Sequence, residues 1–251
     1  MIVDKRTRRR LASTTRFADI RELASVDSTN RYLLDLARAA APEGVVVVAD
    51  HQTAGSGRLG RTWQSRAGQA LLVSVLLRPT HLPADRRHLL MAALALSAAD
   101  ACRVAAGVEP AIKWPNDLLI DDRKLAGILA VADGDGVVVG LGLNVGWAPP
   151  GAISLMEAAP MVVVERGAVL AGMLEALEGW YGRWDEVAAA YRGRCQTLGR
   201  RIRAELPGRV VTGRAEVLDE WGRLQVAVDG SAELVVLSAA DVVHLRPGAA
   251  G

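Results

Sequence analysis

Gly55-Ser56-Gly57-Arg58-Leu59-Gly60, followed by Arg61-Thr62-Trp63 and then the aliphatic run Ala70-Leu71-Leu72-Val73-Ser74-Val75-Leu76-Leu77, is the stretch on which the fold class turns. Behind the strand-like Val45–Ala49 it is literally G-x-G-x-x-G, the spacing of a dinucleotide-binding turn. Such a turn needs a helix to open at its third glycine, so that the helix N-terminus meets the pyrophosphate. Here Arg61-Thr62-Trp63 leads into a second strand, and the Rossmann reading fails on context. What remains is a Gly- and Arg-rich loop at residues 50–69. Its backbone can approach an anion, Arg58 and Arg61 can neutralise one, and Trp63 can stack on a base. A plain surface loop with glycines in tight turns competes with that reading, and Trp63 fits a core ring equally well.

Upstream of the loop, Asp27-Ser28-Thr29-Asn30 supplies capping chemistry ahead of Tyr32, Leu33, Leu34, Leu36, Ala37 and Ala40, which predicts a helix ending near Pro42-Glu43-Gly44. Downstream, an alanine-rich helix is predicted to about Ala106, with Asp85 as its N-cap. Ile112–Trp114, Leu118–Ile120, Lys124–Val131 and Val137–Leu143 read as strands between turn clusters. Residues 165–196 return to helical spacing, with Leu170, Leu174, Leu177, Trp180, Trp184 and Val187 on an inner face. After Gly199, strand-like pieces at 209–218, 223–228 and 233–237 predict a small all-β appendage. The predicted architecture is α+β, a mixed-sheet body with packed helices and a β-barrel-like C-terminal domain. Its expected divisions are a basic tail and lead-in at 1–24, the body at 25–198 and the appendage at 199–251.

The chain has 251 residues, 51% hydrophobic and 23% charged, which excludes disorder and fibrous repeats. Its net charge of +2 is concentrated at the start, where Lys5, Arg6, Arg8, Arg9 and Arg10 face one acid, Asp4; the remainder carries −2. A near-neutral body does not suit a phosphate backbone, so no nucleic-acid partner is expected and the basic start reads as a solvated tail. Gly136 to Met156 is uncharged over a span-like length, but its five glycines, Asn144 and Pro149-Pro150 read as core strand and loop. No membrane association is expected. Two distant cysteines, Cys102 and Cys195, and a start with no apolar signal region point to the cytoplasm.

Lysine placement adds a signal. Of thirty basic residues only Lys5, Lys113 and Lys124 are lysines, and two of them fall close together in Ile112-Lys113-Trp114-Pro115-Asn116-Asp117 and Arg123-Lys124-Leu125-Ala126-Gly127. A compact ammonium suits a point contact with phosphate or carboxylate. Asn116 and Asp117 serve equally as turn residues after Pro115 or as polar contacts to a nucleotide or divalent ion.

Five blocks taken in order, Asp27–Asn30, Gln52–Trp63, Lys113–Leu118, Lys124–Leu129 and Gly140–Val145, resemble those of biotin–protein ligases, over residues 25 to 146. The β appendage resembles that family's SH3-like C-terminal domain. The resemblance implies that biotin and ATP, with Mg2+, form biotinyl-5′-adenylate, and that biotin then passes to a lysine of the carrier domain of an acyl-CoA carboxylase. It assigns Ser28, Thr29, Asn30 and Gln52 to biotin's ureido ring, with helix capping as the alternative for Ser28 and Thr29. Ser56, Gly57 and Arg58 fall in a ligand-closing loop, with Arg58 on carboxylate and phosphate, Arg61 as a second clamp and Trp63 near the adenine. Lys124 becomes the bridging, catalytic cation and Lys113 assists at the phosphates. Asn116 and Asp117 lie by nucleotide, metal or incoming amine, Gly127 beside biotin's chain and Asn144 on the nucleotide. The metal ligands are left open, as is the choice between monomer and homodimer.

Two departures stand out. Ser56 and Leu59 occupy places where relatives often carry arginine, which implies weaker retention of the adenylate. The 50–66 loop is expected to order on ligand binding. About 24 residues precede the Asp27 block, too few for the DNA-binding domain that some relatives carry. Two alternatives are a lipoate or octanoate ligase or transferase of related fold, and a biotin-binding regulator without catalysis.

Overall fold

Every residue of β3 (Ala70–Leu77) is buried, and this strand lies inside a seven-stranded mixed sheet. The computed structural model describes residues 2–206, 208–238 and 240–245. With β1 (Ile20–Leu23), β2 (Val46–Ala49), β4 (Ala111–Lys113), β5 (Asp117–Ile120), β6 (Arg123–Asp133) and β7 (Gly136–Asn144), the sheet runs β1-β2-β3-β7-β6-β5-β4. Only the β1–β2 pair is parallel; the other pairs are antiparallel. Continuous burial in β2 and β3 follows from cover on both faces. On one face α2 (Thr29–Arg38) packs Leu33 against Val45, Val47, Leu76 and Val138. The other face carries α3 (His88–Ala106) and α5 (Arg166–Trp180). α3 is apolar on nearly all sides, as a helix enclosed by its neighbours must be. It ends at Gly107, whose φ of 68° supplies the left-handed C-cap.

The α+β expectation holds, and four local expectations are corrected. The basic start is not a solvated tail. Lys5–Thr14 forms α1, capped by Asp4, and its Leu11 joins the flanking Val3 and Phe17 in the main core. Arg8 pairs with Glu22 and Arg10 with Glu175, while Arg16 reaches Glu178 at 3.0 Å, so part of the charge is paired within the fold and Lys5, Arg6 and Arg9 stay exposed. Asp85 does not cap α3: it sits one short 3-10 turn earlier and accepts from Trp221 Nε1 at 3.2 Å. The helical stretch after residue 165 divides at Tyr181-Gly182 into α5 and α6 (Trp184–Gly193), and a short α4 (Leu155–Ala158) precedes it. Gly182 has φ 90°, which an uninterrupted helix cannot contain.

The C-terminal segment is richer in strands than its sequence pattern shows. To β9 (Arg209–Leu218), β10 (Leu224–Val228) and β11 (Leu234–Leu237) the fold adds β8 (Arg201–Leu206) and β12 (Asp241–His244), giving an antiparallel sheet β11-β10-β9-β8-β12. This is the strand number of the expected SH3-like domain. Residues 246–251 of the expected 199–251 segment lie outside the described residues.

The two sheets are joined at Trp114, whose backbone N–H donates to Thr197 Oγ1 (3.0 Å) and whose indole donates to the Gly222 carbonyl (2.9 Å). Thr197 also meets His244 Nε2 at 3.0 Å, while Arg200 Nη1 lies 3.3 Å from Nδ1. An arginine can only donate, so Nδ1 accepts and Nε2 carries the proton. Burial first, then Lys113 and Arg200, push the His244 pKa from 6.5 down to about 4. The folded state therefore binds no proton there until about pH 4, whereas the unfolded chain takes one up near 6.5. Stability is expected to fall as pH drops through that window. Denaturant melts of His244→Gln should lose part of this slope, and an unchanged slope would contradict a buried neutral imidazole.

Candidate functional site

Gly140 and Gly142 lie two apart on β7 and share one face of the sheet. Gly142 pairs with Gly127 on β6, and Gly140 pairs with Ser74 on β3 and Leu129 on β6. The resulting stripe lacks side chains where two groups press close. A Cβ on Gly140 would overlap Asn30 Oδ1, and one on Gly142 would come 2.5 Å from Trp63 Cε2. At Gly127 a Cβ would meet Lys124 Nζ at 3.1 Å and Trp63 Cζ3 at 3.3 Å. The stripe thus links an amide-rich end, at Asn30, through the Trp63 ring to a cationic end, at Lys124. Over it lies a cleft of about 250 Å³, and all the residues assigned from the sequence line it: Ser28, Thr29, Asn30, Gln52, Ser56, Gly57, Arg58, Arg61, Trp63, Lys113, Asn116, Asp117, Lys124, Gly127 and Asn144.

At the amide-rich end Ser28 is the N-cap of α2, its Oγ facing the Arg31 amide at 3.5 Å. Thr29 is free of that duty. Its backbone N–H and hydroxyl both donate to Gln52 Oε1, at 2.7 and 3.0 Å. Asn30 Nδ2 donates to the Leu129 carbonyl at 3.1 Å. Ser74, fully buried, places its hydroxyl between Asn30 Oδ1 (2.6 Å) and Thr29 Oγ1 (2.8 Å). These bonds orient both amides: with Gln52 Oε1 occupied by Thr29, its Nε2 remains as a donor, and Asn30 keeps one N–H and one lone pair for a ligand. A planar group with alternating carbonyl and N–H matches that pattern.

The loop of residues 50–69 closes on itself through Trp63 N–H to Gly55 O (2.9 Å) and Gly57 N–H to Arg61 O (2.6 Å). Its tip bends at Leu59, exposed and left-handed at φ 55°, and no helix follows it, consistent with the failed dinucleotide reading. Arg58 donates to Asn116 Oδ1 (3.2 Å), whose Nδ2 donates to the Ile128 carbonyl (2.8 Å). Asn116 is thereby a spacer that aims Arg58. Lys124 Nζ sits 2.6 Å from Asp117 Oδ1 and 5.8 Å from the Trp63 ring centroid. Burial pulls the pKa of both Arg58 and Lys113 down, against the pull of Asp117 and Asp241. Asn144, almost wholly buried, gives both amide donors to backbone, at Ile153 O (3.1 Å) and Lys124 O (3.3 Å), and only its Oδ1 lacks a partner. The Trp63 indole N–H is likewise buried without a partner. The cleft can therefore orient a neutral polar ring at one end and hold anions among Arg58, Arg61, Lys113 and Lys124 at the other.

Comparison with known proteins agrees with this geometry. Residues 22–144 match the Biotin/lipoate A/B protein ligase family and residues 197–245 match the Biotin protein ligase C terminal domain. A biotin–[acetyl-CoA-carboxylase] ligase of Mycobacterium tuberculosis is 42% identical over 240 residues, covering 89% of this chain and 88% of the relative. The chain belongs to the biotin protein ligase family. A biotin–[acetyl-CoA-carboxylase] ligase of Paracoccus denitrificans is 34% identical, with 88% of this chain and 98% of that one covered. Among solved structures, a biotin protein ligase from Aquifex aeolicus in complex with biotin and ATP superposes with a TM-score of 0.77 at 25% identity, over 91% of this chain and all of that one.

Sequence reasoning missed four residues of this ligase's cleft. Ser74 looked like one polar residue in an apolar strand, and that oddity was the available signal. Gly140 and Gly142 were quoted in a motif, but their close contacts appear only once α2 and the loop are docked. Asp241, from the C-terminal domain, carried no local signal. Ser74→Ala removes the hydroxyl seated between Asn30 Oδ1 and Thr29 Oγ1, and one neutral hydrogen bond contributes about 1 kcal/mol, so biotin binding should weaken about three- to tenfold by calorimetry. Gly142→Ala should displace Trp63 and abolish most ligand-induced tryptophan fluorescence change. Unaltered binding in both would contradict the described cleft.

Proposed function

We propose that this ligase joins the carboxylate of biotin to the α-phosphorus of ATP, releasing pyrophosphate, and then delivers biotin to a lysine of a carboxylase carrier domain. The supporting observation is the single cleft that places an oriented pair of amides and a cluster of four cations at opposite ends of one glycine stripe. A ureido ring, which carries one carbonyl between two N–H groups, matches Asn30, Thr29 and Gln52; a dithiolane offers them nothing to bond. The valeryl chain would run along the cleft past the Trp63 ring, which itself rests on Gly142 and Gly127, carrying its carboxylate to Lys124.

The chemistry needs no covalent enzyme intermediate. Two anions must meet, and their repulsion is the barrier that positioned cations lower. In the first step a carboxylate oxygen bonds to the α-phosphorus while the bond to pyrophosphate breaks. Lys124 neutralises both reacting groups, Asp117 holds its ammonium in place, and Arg58, aimed by Asn116, and Lys113 take up charge on the phosphates. Burial of Arg58 and Lys113 leaves them poorly solvated, so they gain most from an arriving anion. In the second step the carrier's amine attacks the biotinyl carbonyl carbon, AMP leaves and the amine loses a proton.

Among the described residues no group of three or more His, Cys, Asp and Glu side chains is placed to hold a metal. Asp117 and Asp241, the carboxylates of the cleft, face Lys124 and Arg61. A protein-held Mg2+ does not fit these residues, and magnesium enters this scheme as part of the nucleotide substrate.

Incubation with ATP, magnesium, a carrier domain and either biotin or lipoate, followed by mass measurement of the carrier, tests the proposal. Mass gain with biotin is expected. Gain with lipoate alone would favour the related lipoate ligases, and binding of biotin without any gain would favour a regulator. Lys124→Ala should slow pyrophosphate release by more than about tenfold, the usual loss for one charge-stabilising donor; near-normal release would remove Lys124 from this role.

A further inference from the structure

Asp241 opens β12, the edge strand of the C-terminal sheet, yet its carboxylate reaches into the cleft and meets Arg61 of the loop 180 residues earlier. The contact is a fork on a fork: Arg61 Nη1 donates to Oδ1 at 3.1 Å, and Nη2 pairs with Oδ2. Its partners differ in freedom. The Asp241 side chain is 22% exposed and anchored beside buried Ala240 and Val242, whereas Arg61 is 64% exposed on a Gly-rich loop. Its hydrogen bond to Arg61 comes first among the causes that hold the Asp241 carboxyl below the usual carboxylate range, followed by the charges of Arg61, Lys113 and Arg58. It therefore stays ionised wherever a nucleotide would bind.

A fixed negative charge at the cationic end of an anion site needs a reason. Asp117 has one, since it positions Lys124 from the neighbouring strand. Asp241 instead occupies the Nη1–Nη2 edge of the most exposed cation in the cleft. An incoming triphosphate can take that edge of Arg61 only by breaking the pair, and departure of pyrophosphate allows the pair to re-form.

We propose that Asp241 is an internal counter-anion that competes with the nucleotide's phosphates for Arg61, weakening the hold on free pyrophosphate so that it leaves after activation. This rests on the nucleotide reading of the cleft given above. It assigns Asp241 a positioning role through Arg61, with no bond made or broken.

The test is calorimetric titration of inorganic pyrophosphate into the full chain and its variants. Asp241→Asn is expected to bind pyrophosphate about three- to tenfold more tightly, since Arg61 is released to the anion, and Asp241→Glu should keep the parent affinity. In an Arg61→Gln background the Asp241→Asn gain should shrink to near nothing, because the competition needs both partners. Equal or weaker binding by Asp241→Asn overturns the proposal, and so does a full gain in the Arg61→Gln background, which would mean a general field effect. Should Asp241→Asn not fold, Asp241→Ser takes its place under the same expectations. No pyrophosphate binding by the parent chain or any variant overturns the nucleotide reading itself. Parent binding without a tighter variant overturns the counter-anion alone.

Discussion

Close approach over a bare strip of sheet is the constraint on which the rest of this molecule depends. Asn30 and Trp63 come from two different connections, a helix start and a loop, and both press onto β7 where Gly140 and Gly142 leave room. A side chain at either position would displace the Asn30 amide or the Trp63 ring and alter the cleft. Because side chains alternate along a strand, two glycines two apart clear one face, while Val139, Leu141 and Leu143 remain buried in the core on the other. The same strand therefore anchors the main hydrophobic core with one face and forms the floor of the site with the other.

The second organising feature is a charge arrangement prepared before any ligand arrives. Four cations share the cleft with two carboxylates, and each carboxylate faces one particular cation. Arg58 and Lys113 are partly desolvated and lack so close an acid, so the strongest attraction for an incoming anion lies between them. For Arg58, Lys113 and Lys124, preorganised charge of this kind needs no rearrangement when the reaction proceeds. It depends on secondary contacts: Asn116 and Asp117 act by aiming Arg58 and Lys124, and Asn144 by tying the loop before Ile153 to β6.

The C-terminal sheet is part of that arrangement. Trp114, on the segment that carries Lys113 and Asn116, is held by Thr197 and Gly222, and Asp241 closes the cleft from the same side. The N-terminal helix buries Leu11, with Phe17 buried just beyond it, while Arg8 and Arg10 meet acids on β1 and α5. Part of its charge, conspicuous in the sequence, is structural.

Short-range patterns in the chain were enough for much of this. Period-two and period-3.6 spacing located α2, α3 and the strands from β2 to β7, because a half-buried or buried element must repeat its apolar positions with its own geometry. The ordered blocks from Asp27 to Val145 contain all the site residues assigned from the sequence, and all of those line the cleft. What the chain alone left undecided depends on groups distant in sequence. The basic start reads as solvated until Glu22, Glu175 and Glu178 are brought beside it, and the short strands β8 and β12 gain definition only from pairing, β8 with β9 and β12 with β8. Ser74, Asp241 and the two β7 glycines have roles set by what packs against them, since a hydrogen bond, an ion pair or a steric gap is a property of two surfaces and only the folded chain brings those surfaces together.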